Sequence, residues 1–312
     1  MNLNSSGEQL LMRSSKQFIV TLRMAVVQMV VWVFLYMNSL MLFTFFSKQT
    51  FWGSTRYILF ALTLMMDSTF LLLSGLVVLQ SYFNVQIPVA SCIPICIVME
   101  VVTKNSRVII AAMCVERYVA ICMPLRHAEM STIGKTMAAI ALISAVGSLK
   151  SFVDLFILVA VAPPGYFALN VLCFYDIMLL TKWHRYMRSA IIQVDFAVFV
   201  VIIVFCYVKI MLAAKAASGD NKESASKGRR TLLLHSLQLF LSMIEMWCPY
   251  VEAVFLEYDL EVFFTVRFFN FVAFTIISRA LSSLIYGLRD QKFFTALVFY
   301  AGCKQNRISL EI

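Results

Sequence analysis

Long apolar runs, separated by short polar, basic or turn-rich stretches, dominate the chain. A helix rising 1.5 Å per residue needs about 20 mainly apolar residues to cross a bilayer. Seven runs of that kind are present: Met24 to Phe46, Tyr57 to Leu79, Pro88 to Cys122, Thr136 to Ala162, Ser189 to Leu212, Leu232 to Phe255 and Val262 to Tyr286. The first, second, fifth and sixth stand out by hydropathy. The third is interrupted by Glu100, Lys104 and Arg107, and is assigned because a span must cross between the second and the fourth. The fourth carries Lys150 and Asp154 four residues apart on one face, a spacing at which helical side chains pair with each other. The pattern predicts an all-α membrane protein, a seven-transmembrane helix bundle over 24–286 with flanking segments 1–23 and 287–312.

Composition agrees, with 61% hydrophobic and 14% charged residues against roughly 45–50% and ~25% in soluble domains. Mean hydropathy is +0.84. Twenty-seven Phe against ten Gly and six Pro exclude collagenous, disordered and linker-like chains. The net charge of +9 does not point to nucleic acid, because the basic residues lie between apolar runs and not on one face interleaved with stacking aromatics. They orient the chain instead. With the N-terminus outside, the inner segments hold 15 Lys and Arg and the outer segments 6, the asymmetry expected of cytoplasmic loops. The polar leading residues and a first run of 23 residues predict no cleaved signal. Asn4-Ser5-Ser6 is a glycosylation sequon on the outer side.

Cys96, Cys114, Cys122, Cys206 and Cys248 fall inside apolar runs, where a thiol acts as a small hydrophobe. With His127, His184 and His235 far apart, no metal-ligand spacing arises and no metal or cofactor is expected. A Walker loop, a filter-like TVGYG segment and the matched broken helices of an inverted-repeat transporter are all absent from the sequence. Nothing in the chain reads as catalytic, and a seven-helix receptor becomes the leading class.

Glu116-Arg117-Tyr118 sits at the inner end of the third span. An arginine there needs a carboxylate or water, and Glu116 supplies the restraint, giving a two-state element held closed at rest and freed when the inner ends part. The longer string Met113-Cys114-Val115-Glu116-Arg117-Tyr118-Val119-Ala120-Ile121-Cys122-Met123-Pro124-Leu125-Arg126-His127 resembles the signature of vertebrate odorant receptors, within the rhodopsin-like G-protein-coupled receptors. The resemblance covers nearly the whole chain. Asn38, and Asp67 in Leu64-Met65-Met66-Asp67-Ser68, match buried polar positions of that family. Lys215-Ala216-Ala217-Ser218 and Thr231-Leu232-Leu233-Leu234-His235 resemble the third inner loop and sixth-helix start of fish odorant receptors. Leu281-Ser282-Ser283-Leu284-Ile285-Tyr286-Gly287-Leu288-Arg289-Asp290 looks like their seventh-helix ending, leading to a short amphipathic eighth helix around Gln291 to Tyr300. Trp247 and Pro249 keep the spacing of the superfamily's sixth-helix kink. Ser283 stands where the family usually has proline, the fifth-helix proline is missing, and the fourth-helix tryptophan is absent around Gly147.

The resemblance implies a disulfide between Cys92, 25 residues before Arg117, and Cys173 of the second outer loop, in keeping with an oxidising exterior. It implies a small-molecule odorant, polar and water-borne, bound among the outer halves of helices three, five, six and seven near Met99, Glu100, Thr103, Lys104, Asp195, Tyr250, Glu252 and Val272. Lys104 or Arg107 pairing with Asp195 or Glu245 to fix helix packing is the competing structural reading. A heterotrimeric G protein of the olfactory, stimulatory type would meet Glu116, Arg117, Tyr118, Tyr207, Tyr286 and the loop from Pro124 to His127. Cyclic AMP would be its output. Sodium often sits at the aspartate of related receptors, but Arg279 supplies a competing cation, so an internal Asp67–Arg279 pair is expected. Trafficking chaperones and residence in the plasma membrane of olfactory cilia follow from the same resemblance. The basic inner loop Lys209 to Arg230, with Ser218, Ser224 and Ser226, complements an acidic partner or anionic membrane lipid, and Cys303 is a candidate for palmitoylation. The alternatives are a rhodopsin-like receptor for a non-olfactory ligand and a small-solute transporter or channel subunit using Lys104, Arg107 and Arg279 as a path. A retinal pigment is disfavoured because the seventh span has no lysine.

Overall fold

In a computed structural model, residues 3–126, 132–217, 237, 240–252, 254–255, 258–281 and 291–301 are described. The helices, in chain order, are α1 (Leu3–Ser47), α2 (Thr55–Tyr82), α3 (Val89–Cys122), α4 (Ile133–Val161), α5 (Lys182–Ala217), α6 (240–252), α7 (Leu260–Asn270, continued to 281) and α8 (Gln291–Ala301). Among the described residues, five helical stretches are long and apolar enough to cross a membrane: Gln17–Ser47, Thr55–Tyr82, Ile133–Val161, Lys182–Ala213 and Glu261–Leu281. The third helix misses that standard because of its charges, yet it forms the central column, packed against α2, α4 and α5.

Helix α1 passes without a break through the boundary drawn at residue 23. No proline occurs before Pro88, so nothing interrupts the backbone ladder. The α2 end is set locally. Asn84 adopts a left-handed φ of 51°, and Val85 N–H reaches back to Gln80 O at 3.0 Å, the arrangement that satisfies a helix's last carbonyls. At the start of α7, Asp259 caps the backbone N–H groups of Glu261 (2.7 Å) and Val262 (3.4 Å). Gly75 lets α1 and α2 approach closely: a Cβ there would stand 3.3 Å from Val31 Cγ1, and Gln28 donates to Gly75 O at 2.9 Å.

The apolar interior has an inner and an outer cluster. The inner one joins Met41, Leu59, Leu64, Ile109, Met113 and Phe293, bringing α8 under the bundle. Phe293, Ala296 and Leu297 are buried, at the i, i+3, i+4 spacing of an amphipathic helix. The outer cluster gathers Val89, Cys92, Leu158, Cys173 and Met178 beneath a two-stranded ribbon, β1 (Ile87–Pro88) paired antiparallel with β2 (Asn170–Val171). Large apolar side chains such as Phe156, Val201 and Trp32 point outward and are exposed. On a helix this apolar, those faces meet lipid. The α7 backbone makes a π turn over Phe271–Ile276, which shifts the faces on either side of it.

Candidate functional site

Three consecutive turns of α3 present Met99, Glu100, Thr103, Lys104 and Arg107 to a cavity of ≈ 1430 Å³ within the bundle. Asp195 of α5, Glu252 of α6 and Phe271 of α7 line it from other sides. Six of the eight residues assigned to a ligand thus face one space. Tyr250 and Val272 are not on its wall. Tyr250 Oη instead donates to Ser189 O at 3.0 Å, and Val272 packs with the apolar set of Val27, Leu71 and Ile276. The departure follows from helix rotation: Tyr250 turns toward α5, and the π turn re-aims Val272.

Lys104 Nζ lies 3.6 Å from Asp195 Oδ2 and donates to Gly147 O at 3.3 Å. Thr103 turns its hydroxyl back to Met99 O at 2.7 Å. Lys150 and Asp154 do not pair with each other, contrary to their spacing. Lys150 Nζ binds Glu100 Oε1 at 3.0 Å, while Asp154 accepts from His184 Nε2 (2.8 Å), Tyr175 Oη (2.9 Å) and Arg188 Nη1 (2.9 Å). Arg188 Nη1 also reaches Glu100 Oε2 at 2.9 Å and stacks over the Tyr175 ring at 3.7 Å. Better partners across helix interfaces outcompete a neighbour one turn away. Tyr175 belongs to the outer loop, and burial holds its phenol above the ordinary range, so it stays a hydrogen-bond donor.

The sequence pattern assigned no role to Arg188, His184 or Tyr175. Their signal was weak: Arg188 follows His184 by four residues, as Asp154 follows Lys150, but spacing does not reveal which helices face each other. Cys92, in the first turn of α3, is joined to Cys173 of the outer loop. Cys96 stays a free thiol beside them, its Sγ 3.6 Å from Cys92 Sγ.

At mid-depth Arg279 Nη1 donates to Asp67 Oδ1 at 2.8 Å and Nη2 to Glu245 Oε1 at 3.1 Å. Ser106 Oγ adds 2.9 Å to Asp67, and Asn38 Nδ2 donates to Ser68 Oγ at 3.2 Å close by. With a guanidinium already on the carboxylate, this donor set does not fit a sodium ion. Glu245 as the second acid on Arg279 was not foreseen. Nearer the outer end, Asn270 Nδ2 donates to Glu252 Oε1 at 3.1 Å, linking α7 to α6.

Glu116, Arg117 and Tyr118 occupy the last turns of α3 and are half-buried. The Tyr118 ring meets Phe205 of α5 edge-on, with centroids 5.4 Å apart. Tyr207 is half-buried on α5. Leu125, just past α3, is 97% exposed. Asn4 lies within the first two turns of α1. Tyr286, Ser283, His127, His235, Cys303 and the loop serines 218, 224 and 226 lie outside the described residues.

A central helix with a charged cavity wall, an outer disulfide onto that helix and an eighth helix beneath the bundle define a membrane receptor architecture. Residues 37–284 match the family described as 7 transmembrane receptor (rhodopsin family), and the chain belongs to it. The chain is 42% identical over 277 residues to Odorant receptor 131-2 of Danio rerio, an alignment covering 89% of this chain and 85% of that protein. It is therefore a multi-pass membrane protein of a receptor family and not of an enzyme family.

Proposed function

We propose that this chain is an odorant receptor that takes a small, polar, water-borne ligand into the bundle cavity and activates a stimulatory, olfactory-type G protein, raising cyclic AMP. One observation carries the reading: α3 supplies both the charged cavity wall, from Glu100 to Arg107, and the inner-end Glu116-Arg117-Tyr118. A ligand that prefers one setting of α3 against α5 and α6 biases the inner end of the same rigid element. The exposed Leu125 and the basic Arg126 beside it suit a G-protein surface with an apolar patch and acidic rim. Work in the plasma membrane of olfactory cilia, glycosylation at Asn4, help from trafficking chaperones and a cycle with neither catalysis nor cofactor complete the proposal.

The test is a cyclic-AMP assay in cells co-expressing an olfactory G protein, with surface labelling, over water-soluble amines, acids, steroids and bile salts. A ligand-dependent rise that disappears in Arg117→Ala at equal surface level is the expected result. A response that survives Arg117→Ala, or a surface-expressed chain silent to the whole panel, counts against it.

A further inference from the structure

The charged groups that face the cavity are almost all committed. Lys104 stands against Asp195, Arg188 is held by Glu100 and Asp154, and Arg267 lies 4.0 Å from Glu252. Arg23 donates to Thr265 Oγ1 at 2.9 Å and lies over the Phe268 ring. Glu245 is taken by Arg279, and Lys135 and Glu116 have partners as well. Arg107 is different. It lines the same cavity, yet among the described residues it makes no hydrogen bond and no carboxylate oxygen comes within 4.0 Å of it. Glu245, Asp195 and Glu100 act on it only through space, as does the like charge of Arg279.

An arginine keeps its proton under all ordinary conditions and carries five N–H donors in a planar fork. Withdrawn from bulk water with none of those donors engaged, it is costly to bury. The group that satisfies it best is a planar or tetrahedral oxyanion, which accepts two parallel N–H bonds. The wall next to Arg107 on α3 and opposite it is apolar: Val108, Ala111, Phe199, Ile202 and Met246. We infer that Arg107 anchors the acidic head of an amphiphilic organic anion, a carboxylate or sulfonate on an apolar body that lies along this wall. The inference rests on the reading of the cavity as a ligand site and names the ligand's class. Lys104 was the more conspicuous cation in the sequence, but Asp195 already answers it.

The full chain in lipid nanodiscs provides the test, with octanoate, octane sulfonate, octanol and octylamine as a matched set and empty nanodiscs as baseline. Both anions bind and raise the unfolding temperature, whereas octanol and octylamine do neither. Arg107→Gln weakens anion binding at least about 30-fold, Arg107→Lys keeps most of it, and ligand-free Arg107→Gln unfolds no earlier than the wild type, because no bond is lost. Equal binding of octanol and octanoate, or anion binding unchanged in Arg107→Gln, overturns the inference. So does an Arg107→Gln chain destabilised in the absence of ligand, since that marks a packing charge. Binding needs no G protein, so the two readings separate. Anion binding without a cyclic-AMP response sinks the receptor reading and leaves the site standing, while cyclic-AMP responses to neutral or cationic ligands alone, without anion binding, do the reverse.

Discussion

Arg279 shows how one buried charge organises its surroundings. It is 6% exposed and shared by Asp67 and Glu245. Removing it strands two carboxylates, so Arg279→Gln is expected to cost about 3–5 kcal/mol in thermal or denaturant unfolding. The triple variant Asp67→Asn, Glu245→Gln, Arg279→Gln recovers much of that loss, since no uncompensated charge is left. The same geometry predicts no sodium dependence: exchanging sodium for N-methylglucamine at constant ionic strength leaves ligand affinity unchanged, and a shift would mean the guanidinium can be displaced. The Asp67–Arg279 pairing was legible because both positions fall on a known family pattern. Glu245 was not, for nothing in its local sequence shows that α6 turns it toward α7.

At the scale of elements, the outer halves of α3, α4 and α5 are held by Glu100, Lys150, Asp154, His184 and Arg188, with Tyr175 tying in the outer loop. Two substitutions separate the strong link from the weak one. Tyr175→Phe removes a single bond to a charged acceptor and is expected to cost about 1.5–3 kcal/mol, while Asp154→Asn disturbs three partners at once and lowers stability and surface level further. Cys92→Ser with Cys173→Ser frees a segment of sequence separation 81 and is expected to cost roughly 2–5 kcal/mol, read as lost surface expression and earlier unfolding. Most helices were legible from apolar runs of membrane length, and α8 from the resemblance of the stretch before it to a family's seventh-helix ending. The upward extension of α1 was not, because polar residues permit a helix without announcing one. The π turn in α7 was hidden too, since no proline or glycine lies within Phe271–Ile276 to mark it.

In the whole molecule the cavity and the inner end of α3 belong to one column, and signalling requires ligand energy to be spent on the difference between two bundle states. A near-complete switch needs the active state to be favoured by about 5.5 kcal/mol. Satisfying otherwise unengaged donors in a water-poor cavity is one source of such a difference, provided the geometry is better in the active state. The charges of the third span, which nearly hid it from a hydropathy reading, are the ones that build the cavity wall.

The most direct measurement is nucleotide exchange on a purified stimulatory G protein by the nanodisc-reconstituted chain, with and without a ligand shown to bind the cavity. Ligand-accelerated exchange, reduced to the receptor-free rate by Arg117→Ala while ligand binding persists, is the predicted result. Exchange that is the same with and without bound ligand would contradict a cavity coupled through α3 to a G protein.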